Sequence, residues 1–214
     1  MSRMPHSLGA IVGSALLVAT TSCRGTSSHE RFDDPPITTT TTSAKPKASA
    51  IPVLDVSLVY PIVESVGAKK RIHWEKTQPM DAHSPPDAWK IEFEKSGGFA
   101  GICWKNKAGN EGEAPGDDLS KASYRRISFW AKGAAGGEVA EFRAGGLGNV
   151  KTRHQDTFDV TAGKIRLTPN WQEYGIYVSD ADLSSVMTPF CALFHREDNA
   201  EHTTVYLDDI QYGG

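Results

Sequence analysis

The chain has 214 residues, of which 39% are hydrophobic and 9% aromatic, enough apolar material for one domain-sized core and too little for two. Its 23 Lys and Arg against 26 Asp and Glu give a formal charge of -3, and basic residues cluster only at Lys69-Lys70-Arg71 and Arg125-Arg126, which argues against a nucleic-acid surface. No P-loop, Gly-x-Ser-x-Gly or His-Glu-x-x-His sequence occurs, so nucleotide, serine-hydrolase and zinc-protease chemistry have no motif to rest on.

At the N-terminus, Arg3 and His6 precede an apolar stretch over 8–19 that is too short for a permanent membrane span, and small polar residues follow up to Cys23. This is the pattern of a secretory leader over 1–22. The small residue before Cys23 resembles the lipobox of bacterial lipoproteins, which implies lipidation of Cys23 and a membrane contact through that lipid only. Thr20 stands where the lipobox usually has an aliphatic residue, so ordinary cleavage and release stays open; either way the chain leaves the cytoplasm for the cell envelope or beyond. Residues 23–51, with Pro35-Pro36 and threonines from Thr38 to Thr42, contain few large apolar groups to offset ordering entropy, and read as a disordered tether.

From 52 to 214 the pattern is one of strands and turns. Runs at 53–60, 89–94, 98–104, 125–132, 138–143, 157–160, 163–167, 173–178, 190–195 and 203–211 are separated by Gly, Pro, Asn and Asp, which describes an all-β sandwich. A single helical turn is expected over 181–187, capped by Asp180 or Asp182. Gly136-Gly137 and Gly145-Gly146 read as tight turns, since no helix pattern follows to make a phosphate cradle. Cys103 and Cys191 both lie in apolar runs of an exported chain, and a disulfide or two buried thiols are equally consistent with that.

Alternation along strands sorts side chains by face. Ile127, Phe129 and Ala131 make an apolar face, which turns Trp130 to the other side as a candidate platform. Ala140 and Phe142 point inward, as do Phe190, Ala192 and Phe194, leaving Glu141, Arg143 and His195 to share an outer polar face, and Trp130 is assigned to that same sheet. If Ala100 and Ile102 face outward, Trp104 joins them; Trp89 and Trp171 go to the core. A sugar site needs flat aromatic rings against the pyranose and fixed polar groups for its hydroxyls, and Trp104, Trp130, Glu141, Arg143 and His195 have that chemistry.

The last strand carries an acidic pair, Asp208-Asp209, among Val205, Tyr206, Leu207 and Ile210. Strict alternation sends Asp209 to the face of Val205 and Leu207, and Asp208 to that of Tyr206 and Ile210. Buried carboxylates require a cation, a basic partner or a row of backbone N–H donors, so this pair reads as a clamp within the sandwich.

Three pieces, the strand from Ile127 through Trp130 to Gly133, the strand after Trp171, and Val205 to Ile210, together resemble calcium-containing jelly-roll carbohydrate-binding modules, the galactose-binding-like β-sandwiches. The resemblance implies a jelly-roll sandwich of two antiparallel sheets, a polysaccharide or glycan as ligand, and a structural calcium held by Asp208 or Asp209 with backbone carbonyls. It also implies binding without catalysis, since no pair of carboxylates is set at glycosidase spacing by sequence. A structural or protein-interaction lipoprotein of the same fold is the alternative, and a carbohydrate-active enzyme the third reading.

Overall fold

The computed structural model describes residues 51–94, 98–147, 152–199 and 202–214. The leader over 1–22, Cys23 and the tether up to residue 50 lie outside the described residues. Among the described residues no helix is long and apolar enough to cross a membrane.

Eleven strands form: β1 Leu54–Asp55, β2 Ile62–Gly67, β3 Ile72–Lys76, β4 Trp89–Glu94, β5 Phe99–Lys105, β6 Arg126–Gly133, β7 Val139–Gly145, β8 Asp159–Arg166, β9 Gln172–Tyr177, β10 Phe190–His195 and β11 His202–Gly213. One sheet runs β3-β4-β11-β6-β9 with β1 added on β11, and the other runs β2-β5-β10-β7-β8. All pairings are antiparallel, and the chain passes repeatedly from one sheet to the other, giving a jelly-roll β-sandwich.

The core is the pair of inner faces. Along β6, Ile127, Phe129, Ala131 and Gly133 are buried while the residues between them are not, as a period of two requires. Phe129 meets Phe142 of the facing sheet with ring centroids 4.6 Å apart, and Phe93 stacks on Phe194 at 5.8 Å. These cross-sheet ring pairs tie β6 to β7 and β4 to β10, so the inward sets expected for β6, β7 and β10 are the ones observed.

Four local expectations are corrected. The 53–60 run is only briefly extended: Asp55 accepts the Leu58 N–H at 3.0 Å and caps a short helix, α1 Val56–Val59. The runs 157–160 and 163–167 join into β8, where Gly163 at φ 74° and a register shift opposite Phe142 absorb the irregularity. No helix forms over 181–187; Asp182 accepts the Ser184 N–H two residues on, closing a bend in place of a helical turn. Strands β2 and β3 were not anticipated, because both are sheet edges whose burial does not alternate cleanly.

The fifth correction concerns the acidic pair. On β11, Asp208 pairs with Trp130 while Gln211 pairs with Ser128, so an extra residue is inserted opposite β6. Asp209 takes φ 48° at this bulge. The extra residue resets alternation, and Leu207 and Ile210 both face the core. Neither carboxylate is forced into the apolar interior.

Cys103 and Cys191 are directly paired across β5 and β10, with Cα atoms 4.1 Å apart, and are disulfide-bonded. The bridge lies on the outer face of its sheet, opposite in parity to Ile102 and Trp104.

Candidate functional site

The outer face of the β2-β5-β10-β7-β8 sheet is built by register. Glu64, Cys103, Cys191 and Arg143 lie in one row across β2, β5, β10 and β7, while Val66, Gly101, Leu193 and Glu141 make the next. His195 is paired with Phe99 beyond them. Glu141 accepts from or is paired with His195, Oε2 to Nε2 at 2.9 Å, and its other oxygen lies 3.9 Å from Arg143. Arg143 also bonds Asp159 on β8. The three residues expected to share a polar face therefore do share one, and each is held by a neighbour.

Beside this row the surface is apolar. Val66, Phe99, Leu193 and the disulfide line a depression of about 150 Å³, closed on its polar side by Lys105 and Arg143. Phe99 is the exposed ring of the face, 41% accessible, with its centroid 6.0 Å from that of His195. Lys105 was missed by the sequence reading, whose strand ended at Trp104. Parity finds it once Trp104 is known to point inward, since the next residue must point out.

Trp104 is not on this face. It is fully buried with Ala100 and Ile102, edge-on to Trp89 at 5.5 Å and to Phe190 at 5.6 Å, and belongs to the core. Trp89 is partly buried against that core, as expected, and donates its ring N–H to Ser57 Oγ at 3.1 Å.

Trp130 points outward as expected, but from the other sheet, so it cannot join Arg143 and His195. The chain crosses from one sheet to the other between β6 and β7, which turns outward residues of the two strands to opposite sides of the sandwich. His83 stacks on Trp130, with centroids 3.7 Å apart and planes inclined by 14°. Trp171, expected in the core, lies on this same outer face, edge-on to His83 at 5.9 Å and beneath the Lys132 ammonium at 5.0 Å.

The acidic pair holds His83 in place. Asp208, 8% exposed, accepts the backbone N–H groups of His83 and Ser84 at 2.9 Å each and that of Asp209 at 2.8 Å. Asp209 accepts from Ser84 Oγ at 2.6 Å and meets His83 Nδ1 at 2.8 Å. Burial raises the Asp208 carboxyl above the ordinary carboxylate range, against the pull of the N–H donors, and the neighbouring Asp209 charge adds to the rise. Three backbone N–H groups thus occupy most of the acceptor capacity of Asp208, the carboxylate that the expected calcium would share. Among the described residues no cluster of three His, Cys, Asp or Glu could hold a metal ion.

A second carboxylate works in the same way. Asp156 accepts the backbone N–H groups of Leu147 at 2.9 Å, Met187 at 2.5 Å and Thr188 at 3.1 Å, tying two loops together next to the depression, and burial raises its carboxyl too. Because its partners are backbone groups of distant loops, no local sequence pattern marks Asp156 for this role.

No protein-family profile matches the sequence, and no curated protein matches it. Among solved structures, the chain is similar to the family 11 carbohydrate-binding module of the cellulosomal cellulase Lic26A-Cel5E of Clostridium thermocellum, at 15% identity and a TM-score of 0.48 over 72% of this chain and 86% of that one. It is similar to the family 30 module of cellulase Cel9D-Cel44B of the same organism, at 19% identity and a TM-score of 0.48 over 72% of this chain and 91% of the other. A third likeness is to TmCBM61 in complex with β-1,4-galactotriose, at 13% identity and a TM-score of 0.41 over 75% and 94% of the two chains.

Proposed function

We propose that this protein binds a carbohydrate non-covalently on the outer face of the β2-β5-β10-β7-β8 sheet. The observation that carries the reading is the juxtaposition on that face of an apolar depression, floored by Leu193 and the disulfide, with the mutually paired Arg143, Glu141 and His195. A pyranose offers an apolar ring face and a rim of hydroxyls, and pre-oriented polar groups beside an apolar floor meet both. The depression is about 150 Å³, well under the roughly 300 Å³ at which sites for drug-sized ligands begin, so it suits one sugar ring of a longer chain that extends past Phe99.

Binding without turnover is part of the proposal. Glu141 and Asp159 are both ion-paired to Arg143, and in this reading they brace the polar rim as fixed hydrogen-bond acceptors. Export, with Cys23 as the lipid attachment point, completes it: the leader and tether would present this face outside the cytoplasm.

The test is a glycan array probed with the protein, followed by calorimetry on any hit. Arg143→Ala and His195→Ala are each expected to weaken binding about tenfold, the effect of one charge-assisted hydrogen bond. Clean silence across plant, bacterial and host glycans would sink the reading. It would then favour a protein-interaction module, for which Val53, Leu58 and Val59, exposed together at the start of the domain, are the specific support.

A further inference from the structure

Lys105 continues the outward parity of Cys103 on β5, yet its side chain is only 1% exposed. The one carboxylate near its ammonium is Glu111, at 3.8 Å, beyond hydrogen-bond distance. An ammonium has three protons to donate, and an ion pair at this separation fills none of them with a direct hydrogen bond, so Lys105 can take a closer anionic acceptor. Arg143 has spare capacity as well: its terminal nitrogens go to Asp159 and Glu141, while its Nε is buried with no hydrogen-bond partner.

Both cations line the same depression, and among the described residues no Asp or Glu does. Asp156, which holds Leu147 and Thr188 of this lining, is occupied by the backbone N–H groups of Leu147, Met187 and Thr188. Other depressions of the molecule differ: one is lined by Asp159, Asp180 and Asp182, another by Asp55, Asp87, Asp208 and Asp209. In a chain of formal charge -3, the positive lining is therefore a local feature and not the average surface.

We infer that the saccharide taken by this depression carries an acidic group, a carboxylate or a sulfate, which docks on Lys105 and Arg143. The inference rests on the glycan reading above. The apolar floor takes the ring face, and the anion supplies an acceptor to the unpartnered Arg143 Nε and a closer one than Glu111 to the Lys105 ammonium.

The test compares matched ligands on the full chain by calorimetry: oligogalacturonate and oligoglucuronate, each against its methyl ester, and a sulfated against a desulfated galactan. The charged member of at least one pair is expected to bind about tenfold more tightly than its neutral partner, and the pair that shows this separates carboxylate from sulfate. Lys105→Met should erase that preference while leaving neutral affinity and the melting temperature in place, and Lys105→Arg should keep it. If Lys105→Met does not fold, Arg143→Gln is read instead: it is expected to weaken both members of a pair, since Arg143 also braces the polar rim, and to weaken the charged member more, so that the ratio within the pair narrows. Equal affinity within every pair, or a preference untouched by the variants, overturns the acidic-ligand inference while leaving glycan binding standing. Silence toward all six ligands and the array overturns both.

Discussion

The two outer faces of the sandwich hold similar inventories and use them in opposite ways. On the β3-β4-β11-β6-β9 side, Trp130, Trp171, Tyr206, Lys132 and two aspartates contact one another and the His83-Ser84 loop. On the β2-β5-β10-β7-β8 side, Arg143 keeps a buried Nε unfilled and Lys105 has only a 3.8 Å ion pair to Glu111, both beside an apolar hollow. The lesson is that side-chain type does not mark a site. A tryptophan covered at 3.7 Å by a histidine of its own chain is a structural part, while a buried guanidinium nitrogen without a partner, beside a lysine paired only at 3.8 Å, is open to a ligand.

The strongest way to break the contrast is Asp208→Ala. It strips three backbone N–H groups of their acceptor, and at roughly 1–3 kcal/mol for each buried donor left unpaired it is expected to destabilise by about 3–5 kcal/mol, read by chemical denaturation, with glycan affinity of the remaining folded protein unchanged. Adding chelator to the native chain tests the calcium expectation at the same corner: a fall in melting temperature supports a bound ion, and an unchanged one counts against it.

Opening the Cys103–Cys191 bridge comes next. Joining residues 88 apart in sequence, it is expected to contribute about 2–4 kcal/mol, and because it floors the hollow, a Cys103→Ala, Cys191→Ala double variant should lose stability and affinity together. A loss of stability alone would detach the hollow from binding.

A crossed pair sharpens the contrast at lower amplitude. Trp130→Ala is expected to lower stability by about 1 kcal/mol through its lost stack on His83 and to leave glycan affinity alone, whereas Arg143→Ala weakens binding about tenfold with little change in melting temperature. The reverse outcome would move the site to the other face.

The smallest effect is in pH. Burial sets the folded pKa of Asp208 and Asp156 above the unfolded value, so their contribution is fully present below the ordinary carboxylate range and is lost as pH rises through the folded pKa. The stability difference between the native chain and Asp208→Asn should therefore grow as pH falls from about 7 toward 4, measured as melting temperature on a pH series.

Much of the scaffold was legible. Alternation of apolar residues identified β6, β7 and β10 with their inward faces, because each is flanked on both sides by other strands and buries one face against the opposite sheet. The polar trio Glu141, Arg143 and His195 followed from the same parity, since β7 and β10 are neighbours in one sheet. Parity failed at Asp209, where a bulge that no local pattern announces turned Ile210 back to the core.

By itself, the sequence determined the all-β architecture, the inward sets of the central strands and the meeting of Glu141, Arg143 and His195, because alternation is a local property written at period two. Only the tertiary structure decided that Trp130 and Arg143 stand on opposite sides, that the two cysteines are paired, that Asp208 and Asp156 hold loops, and that Lys105 is buried beside Arg143 in one hollow. Those facts depend on which sheet a strand joins and which distant backbone meets it. Such contacts arise between residues far apart in the chain, where no short-range pattern can record them.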